Sequence, residues 1–396
     1  MIHRPDRDKD RDRDKDRSTR EGHYGRQSSS EAKPHSPSSS GASPPPGQEA
    51  SYPQILPSDR KRSILVKRKG KTDASFGLPP DKRSLKQHLS LGAINLDKTS
   101  GPTSHEVAAW VKRILEVDKA GHSGTLDPKV TGILPVLLGD ATRIMETLLL
   151  AGKEYICLMR LHKPVPKKQI MEVCQEFMGP IFQKPPLKSS VVKELRIRTV
   201  YYLDILEIEE QHVLMRVGCE AGTYIRKLCF DIGLALGCGA NMEELRRTRA
   251  GPFREDKTLV NLHNLTDAVA AWKEKGDETA LRRCIQPVEA ALSHLPRLVI
   301  ADNAVDAICH GAPLAAPGLL TLETDINKED MVSFFTQKGE AVGVGVAQME
   351  SREMLASQSG IIARTERVIM QPNTYPKAWK LSLRDAATAA GNAALK

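Results

Sequence analysis

No apolar run in this chain approaches the roughly 20 residues that a membrane-spanning helix needs, and the Met1 end is charged rather than signal-like. Aromatic side chains are scarce, at 4% of 396 residues. The seven cysteines form an odd set without a Cys-x-x-Cys pair. That pattern excludes a disulfide frame and a zinc site, and points to reduced, intracellular thiols. No cluster of metal-ligand type and no internal repeat stands out. What the chain does have is positive charge. A formal net charge of +9 and a pI near 9.1 favour a polyanionic partner. Its length is enough for two or three domains, each with its own core.

The first sixty residues lack the apolar surface to pack. "RPDRDKDRDRDKDR" alternates charges almost residue by residue, and a Ser/Pro-rich stretch follows, so a solvated tail is expected over 1–60. "DRKRSILVKRKGKTD" then carries seven Lys/Arg against two Asp around a short strand candidate, Ile64-Leu65-Val66, suited to a sheet edge. Globular patterning begins near Leu89. A strand, a turn and a helix start follow, with Thr103 and Glu106 at capping-box spacing ahead of Val107, Trp110, Val111 and Ile114. "EYICLMRLH" is apolar on both faces and predicts a central strand. Strand character continues to Val217. Helical spacing resumes at "TYIRKLCFDIGLALG", with Ile225, Leu228, Cys229 and Ile232 buried and Gly237 as the stop. Residues 261–292 read as helices. From Leu295 to about Met370 the pattern changes to short strands and frequent glycines, as in a small β-rich module.

Three stretches depart from local rules in ways that suggest one site. In "AGHSGTLDPKVTGILPV", Asp127 sits between glycine-punctuated turns and before a proline, which biases it toward extended dihedrals. Tyr155 opens a strand just after an Ala-Gly turn. In "GTYIRK", Tyr224 and Arg226 fall in the first turn of a helix, where a cation opposes the macrodipole by a few tenths of a kcal/mol. That misfit is explained if Arg226 has an anionic partner elsewhere, and Asp127 is a candidate. Basic clusters surround these stretches. Lys184, Lys188, Lys193, Arg196 and Arg198 form one; Arg246, Arg247, Arg249 and Arg254 form another. Each cluster is either a solvated face or a phosphate-neutralising surface.

Taken together, "GHSGTLDPKVTGILPV", "AGKEYICLMRLH", "FQKPPLKSSVVKELRIRTVY" and "GTYIRKLCFDIGLALGCGANMEELRRTRAGPF" resemble the TruB-type pseudouridine synthases, and more closely their archaeal dyskerin-like members. Residues 295–371 resemble a PUA domain. The similarity runs from about Ile64 to Trp379. In "DKTSGPTS", Thr99 stands where the family usually has proline.

The resemblance implies an α+β fold, a mixed and largely antiparallel sheet flanked by helices, over 61–292. A PUA β-barrel follows at 295–371, with a tail at 372–396. It implies isomerisation of uridine to pseudouridine without a cofactor. Asp127 would be the catalytic carboxylate, either attacking covalently or taking a proton from the sugar, with Arg226 as its counter-ion. Tyr155 would stack on the base. Tyr224 and Leu245 would line the pocket and His122 would contact the nucleotide. Lys184, Lys188, Arg246, Arg247 and Arg249 would meet RNA.

The implied partners are tRNA, rRNA and an H/ACA guide RNA. Two small H/ACA cofactor proteins and a kink-turn-binding ribosomal-type protein complete the set. The implied location is the cytoplasm of an archaeal-like host, or the nucleolus in a eukaryote. Two rivals stand beside this. A catalytically idle guide-RNA scaffold would need none of Asp127, Tyr155 and Arg226, and a nucleoside-bond hydrolase would release free uracil.

Overall fold

The computed structural model describes residues 55–184 and 194–377. Most of the expected tail, together with Lys188, Lys193 and the chain end after Lys377, lies outside them.

Among the described residues, nine strands of three residues or more precede the helical region at 261–292: β1 (Ile64–Val66), β2 (Gly92–Lys98), β3 (Ala120–His122), β4 (Thr131–Leu138), β5 (Lys153–Leu161), β6 (Gly179–Gln183), β7 (Arg196–Glu209), β8 (His212–Cys219) and β9 (Ala240–Ala250). All but β1 belong to the larger sheet, alongside shorter strands. After the short strand Leu259–Val260, the order across the sheet is β2, β4, β9, β5, β8, β7, β6. Pairings along that path from β2 are antiparallel except β4 with β9, which is parallel. The expected centrality of "EYICLMRLH" holds: β5 lies between β9 and β8, with Cys157, Met159 and Leu161 fully buried. The fold is therefore α+β, as expected.

The parallel contact of β4 with β9 requires Gly132. Its φ is +102°, and a Cβ there would sit 2.2 Å from the carbonyl oxygen of Arg247. The glycine of "KVTGILP" thus lets the strand that follows Asp127 run directly against the arginine-rich strand.

Helices α1 (Leu85–Ser90), α2 (Ser104–Leu115), α3 (Met145–Leu150), α4 (Lys167–Glu176) and α5 (Ile225–Ala235) flank the sheet. The Thr103/Glu106 capping box is formed, so α2 starts where the spacing placed it. Residues 261–292 hold helices at Leu262–Lys275, Thr279–Cys284 and Val288–Ala291. In α5 the buried stripe is the expected one, with Gly233 added. Among the described residues no helix is long and apolar enough to cross a membrane.

A second, seven-stranded sheet is formed by six strands of the C-terminal module, from Arg297–Ile300 to Ile361–Val368, and β1. Three boundaries differ from expectation. β1 is an edge strand, but it pairs with Leu319–Glu323 of the C-terminal sheet rather than with the larger one. Lys67 and Arg68 reinforce that docking by donating to carbonyls of the module, at Met354 and Leu319 among others. At the far end Tyr375 is 2% exposed and belongs to the module's core, so the packed chain extends past 371.

The third difference concerns residues 55–60, placed in the tail by composition. Leu56 is fully buried and lies against Gly152, at the entry to β5. Asp59 accepts two 2.6 Å hydrogen bonds from Arg249 of β9, which hold its carboxyl below the usual carboxylate range. One apolar side chain in a polar stretch carries no periodicity, which is why composition alone missed it. Deleting residues 1–53 is expected to leave melting temperature and turnover unchanged. Leu56→Ala is expected to cost about 2–5 kcal/mol in a urea titration, the range for a buried leucine. A stability change under 1 kcal/mol would show that this segment is not anchored.

The two sheets share a core. Ile133, Leu137, Ile144 and Leu148 of the larger body pack in one cluster with Phe335, Ala341, Val344 and Ile369 of the module. Beside it Arg83 and Glu289 form a buried bidentate pair at 2.9 and 2.6 Å, and Glu289 also accepts from the backbone N–H of Ala341. The C-terminal module is thus fixed on the larger body rather than tethered to it.

Candidate active site

Asp127 lies in the link between β3 and β4. Its carbonyl accepts from Val130 N–H at 3.0 Å, which closes a tight turn over Pro128 and Lys129. Three buried side chains clamp the turn from behind. Lys98, at the end of β2 and 1% exposed, directs its ammonium to the carbonyls of Thr99, Pro128 and Val130, each at 2.9 Å, and at 3.4 Å to that of Asp127. Ser104, in the first turn of α2, exchanges hydrogen bonds with both backbone groups of Leu126. Arg247, on β9 and 1% exposed, donates from Nε to Ile133 O at 2.7 Å and from Nη2 to Gly124 O at 2.9 Å. The backbone around Asp127 is fixed on both sides while its carboxylate faces solvent.

That carboxylate is paired. Arg226, in the first turn of α5, donates from Nη2 to Asp127 Oδ2, and both side chains are a little over half exposed. The cation that works against its own helix dipole therefore finds its anion 99 residues away in sequence. The start of α5 is held in turn by Gln183 at the end of β6. Its side-chain amide accepts from Tyr224 N–H at 2.9 Å and donates to Tyr224 O at 3.2 Å. Tyr224 is the N-cap residue and is partly buried.

Asp127, Arg226 and Leu245 line one open cleft of about 1110 Å³, together with Lys129, Ile156, Leu158, Leu214 and Met242 among others. Tyr155 is the neighbour of Ile156 on β5, opposite Val217 and Arg247 in register. Burial pushes the Tyr155 hydroxyl up from its ordinary pKa, and the positive charge of the nearby Arg247 works the other way. It is a neutral phenol beside the same guanidinium that braces the Asp127 loop. His122 ends β3 and meets His105 of α2, with ring centroids 4.7 Å apart. Burial, then the neighbouring His105 and Arg247, lower the His122 pKa to about 4. It is uncharged at neutral pH, and its Nδ1 is buried without a hydrogen-bond partner among the described residues. Among the described residues, no group of His, Cys, Asp and Glu could hold a metal ion.

The second basic cluster is not the free cationic surface that its sequence suggests. "EELRRTRAG" is strand β9, inside the sheet. Arg246 pairs with Asp97 at 3.1 and 3.0 Å and with Glu255 at 2.6 Å. Arg247 points inward, and Arg249 is taken by Asp59. For phosphate contact the correction is firmest at Arg247, which has no solvent face. In the first cluster, Arg198 bonds Glu220 at 3.3 Å and Lys184 is exposed. Three side chains that shape the site escaped sequence reasoning, Lys98, Ser104 and Gln183, and Arg247 was read there as an RNA contact rather than as a brace of the turn. The first three act on backbone groups, mostly far away in the chain, which leaves no local signature.

Four family models match in order along the chain. They are the DKCLD (NUC011) domain over 54–108, the N-terminal domain of TruB family pseudouridylate synthase over 112–225, the tRNA pseudouridylate synthase B C-terminal domain over 226–293, and the PUA domain over 296–369. The curated "Probable tRNA pseudouridine synthase B" of Methanosarcina barkeri is 56% identical over 325 residues, which is 82% of this chain and 96% of that protein. The chain belongs to the TruB family of pseudouridine synthases.

A TruB-family protein of the same name from Thermococcus kodakarensis is 55% identical, over 83% of this chain and 97% of its own length. Among solved structures, one titled as a Cbf5-Nop10-Gar1 complex matches with TM-score 0.80 and 54% identity, over 82% of this chain and 99% of that one. An H/ACA RNP bound to a substrate RNA containing 2'-deoxyuridine matches with TM-score 0.77 and 52% identity, over 82% and 100%. This TruB-family chain is thus a pseudouridine synthase, an isomerase that converts uridine to pseudouridine in RNA.

Proposed function

We propose that the reaction takes place at Asp127, and that the chain acts both on uridines presented by an H/ACA guide RNA and on the TΨC-loop uridine of tRNA. The observation that carries the first part is the Asp127–Arg226 ion pair, on a rigid turn at an open cleft. The reaction breaks the N1–C1′ bond, turns the base and joins C5 to C1′, with loss of the C5 proton. Neither net hydrolysis nor redox change occurs. A carboxylate at Asp127 serves either as nucleophile or as the base that takes a sugar proton. Arg226 orients it and favours its ionised form.

The base must first leave its stack, at a cost of a few kcal/mol. Tyr155 supplies an aromatic face for it, with a hydroxyl that burial keeps protonated. Leu245 lines the cleft, and Tyr224 caps α5 two residues before Arg226. His122, neutral above pH of about 4, contacts the nucleotide by hydrogen bonding rather than by charge.

Targeting has support of two kinds. The curated relatives carry the name tRNA pseudouridine synthase B, and the matched structures include an H/ACA RNP with substrate RNA and a Cbf5-Nop10-Gar1 complex. In the guided mode the C-terminal module grips the guide RNA, and the protein partners are two small H/ACA proteins, of the kind of Nop10 and Gar1 in the matched complex, plus a kink-turn-binding ribosomal-type protein. Methanosarcina and Thermococcus relatives favour a cytoplasmic setting. The test uses RNA tritiated at uridine C5: a tRNA transcript alone, and a guide-matched RNA with and without guide and partners. Tritium release without free uracil is expected in both arms. Release of uracil would convert the assignment to hydrolysis, and no release in either arm would leave an idle scaffold.

A further inference from the structure

We propose that Lys129 binds a backbone phosphate of the RNA strand that carries the target uridine. This rests on the assignment of Asp127 as the reacting carboxylate. The cleft has six charged residues in its lining: Asp127, Lys129, Arg226, Glu243, Glu244 and Arg246. Arg226 is committed to Asp127, and Arg246 to both Asp97 and Glu255. Glu243 lies 3.2 Å from His212, and Glu244 adds another negative charge. After these pairings the lining offers a polyanion no attraction from its arginines and some repulsion from its glutamates. Lys129 is the cation that remains, exposed and with no ion pair among the described residues.

Its placement is fixed from below. The carbonyls on either side of it, Pro128 O and Val130 O, both accept from the buried Lys98 ammonium at 2.9 Å, and Pro128 O also accepts from Gly101 N–H at 3.0 Å. The backbone of Lys129 is therefore as rigid as that of Asp127, two residues before it, and only the side chain moves. A flexible ammonium on a fixed stem beside the reacting group suits a phosphate one nucleotide from the flipped base, where a point charge suffices. The alternative is a solvated turn lysine that touches nothing.

The experiment uses the full chain and a tRNA transcript tritiated at uridine C5. Lys129→Gln and Lys129→Arg are compared with wild type, and binding is measured over a salt series. For Lys129→Gln the expected result is a KM about 5–10-fold higher with kcat within twofold. The slope of log binding constant against log salt should also be shallower by about 0.7–0.9, the share of one phosphate contact. Lys129→Arg should recover both. Unchanged KM and slope would overturn the proposal, as would a fall in kcat alone, which would make Lys129 part of the turn's architecture. Asp127→Asn in parallel separates the two claims. If it retains turnover the carboxylate assignment fails, whereas the salt slope reports on Lys129 regardless.

Discussion

Asp127→Asn is expected to reduce pseudouridine formation by at least about 10³-fold, while RNA binding and the melting temperature stay close to wild type. The reason lies in what the substitution leaves alone. Asparagine is isosteric, the side chain is 54% exposed, and the turn is held by backbone contacts from Lys98, Ser104 and Arg247 rather than by the carboxylate. Substitutions at such exposed positions usually change stability by under about 0.5 kcal/mol. The amide neither attacks C1′ nor takes a proton, so the whole chemical contribution of the group is lost, and nucleophile losses of this kind run to several powers of ten. Tritium release and nucleoside analysis of the digested RNA would measure it. A variant within tenfold of wild type would end the assignment. Arg226→Gln provides the contrast, because it leaves the carboxylate in place and removes only its partner. About a 10²-fold loss is expected there, since orientation and ionisation suffer but the reacting group survives.

How much of this was legible beforehand depends on whether a residue's reason is local. Asp127 was visible because glycine and proline announce a turn from their own backbone preferences. Arg226 was visible because a cation in the first turn of α5 violates a local rule and so implies a distant anion. The central strand β5 was visible from its two apolar faces. Arg247 was not: in "RRTR" it resembles its neighbours, and only the placement of β9 beside β4 turns it inward while Arg246 meets two carboxylates. Gly132, with its positive φ, is the trace of that close approach in the sequence, but it does not say which strand approaches. Leu56 failed for another reason. It is a single buried side chain whose pocket is made by residues near 152, and no pattern in positions 50–60 encodes that pocket.

Lys98→Met is expected to lower kcat by about 10²-fold with KM changed less than threefold, and to lower stability by about 2–4 kcal/mol. Methionine nearly matches the aliphatic stem but has no ammonium. Four carbonyls, of Thr99, Asp127, Pro128 and Val130, then lose their shared donor. Hydrogen bonds to a charged group contribute about 1.5–3 kcal/mol, and buried acceptors left unmade carry a desolvation penalty. Burial already lowers the pKa of Lys98, so the fold holds this cation in place against a desolvation cost. Most of that bonding goes to the Asp127 turn, because the ammonium bridges residue 99 to residues 127–130. With the bridge gone the turn remains connected through Ser104 and Arg247, so the carboxylate stays in the cleft but loses its fixed position. Displacement of about 1 Å is enough for a 10²-fold rate loss. Lys129 rides on the same turn, but its flexible side chain can follow a displacement of that size and still reach a phosphate, so binding changes little. The check is steady-state kinetics with the folded fraction measured by urea titration under the same conditions. A loss of stability with full kcat would show that Lys98 serves the fold alone, and would remove the rigid turn from the account of catalysis.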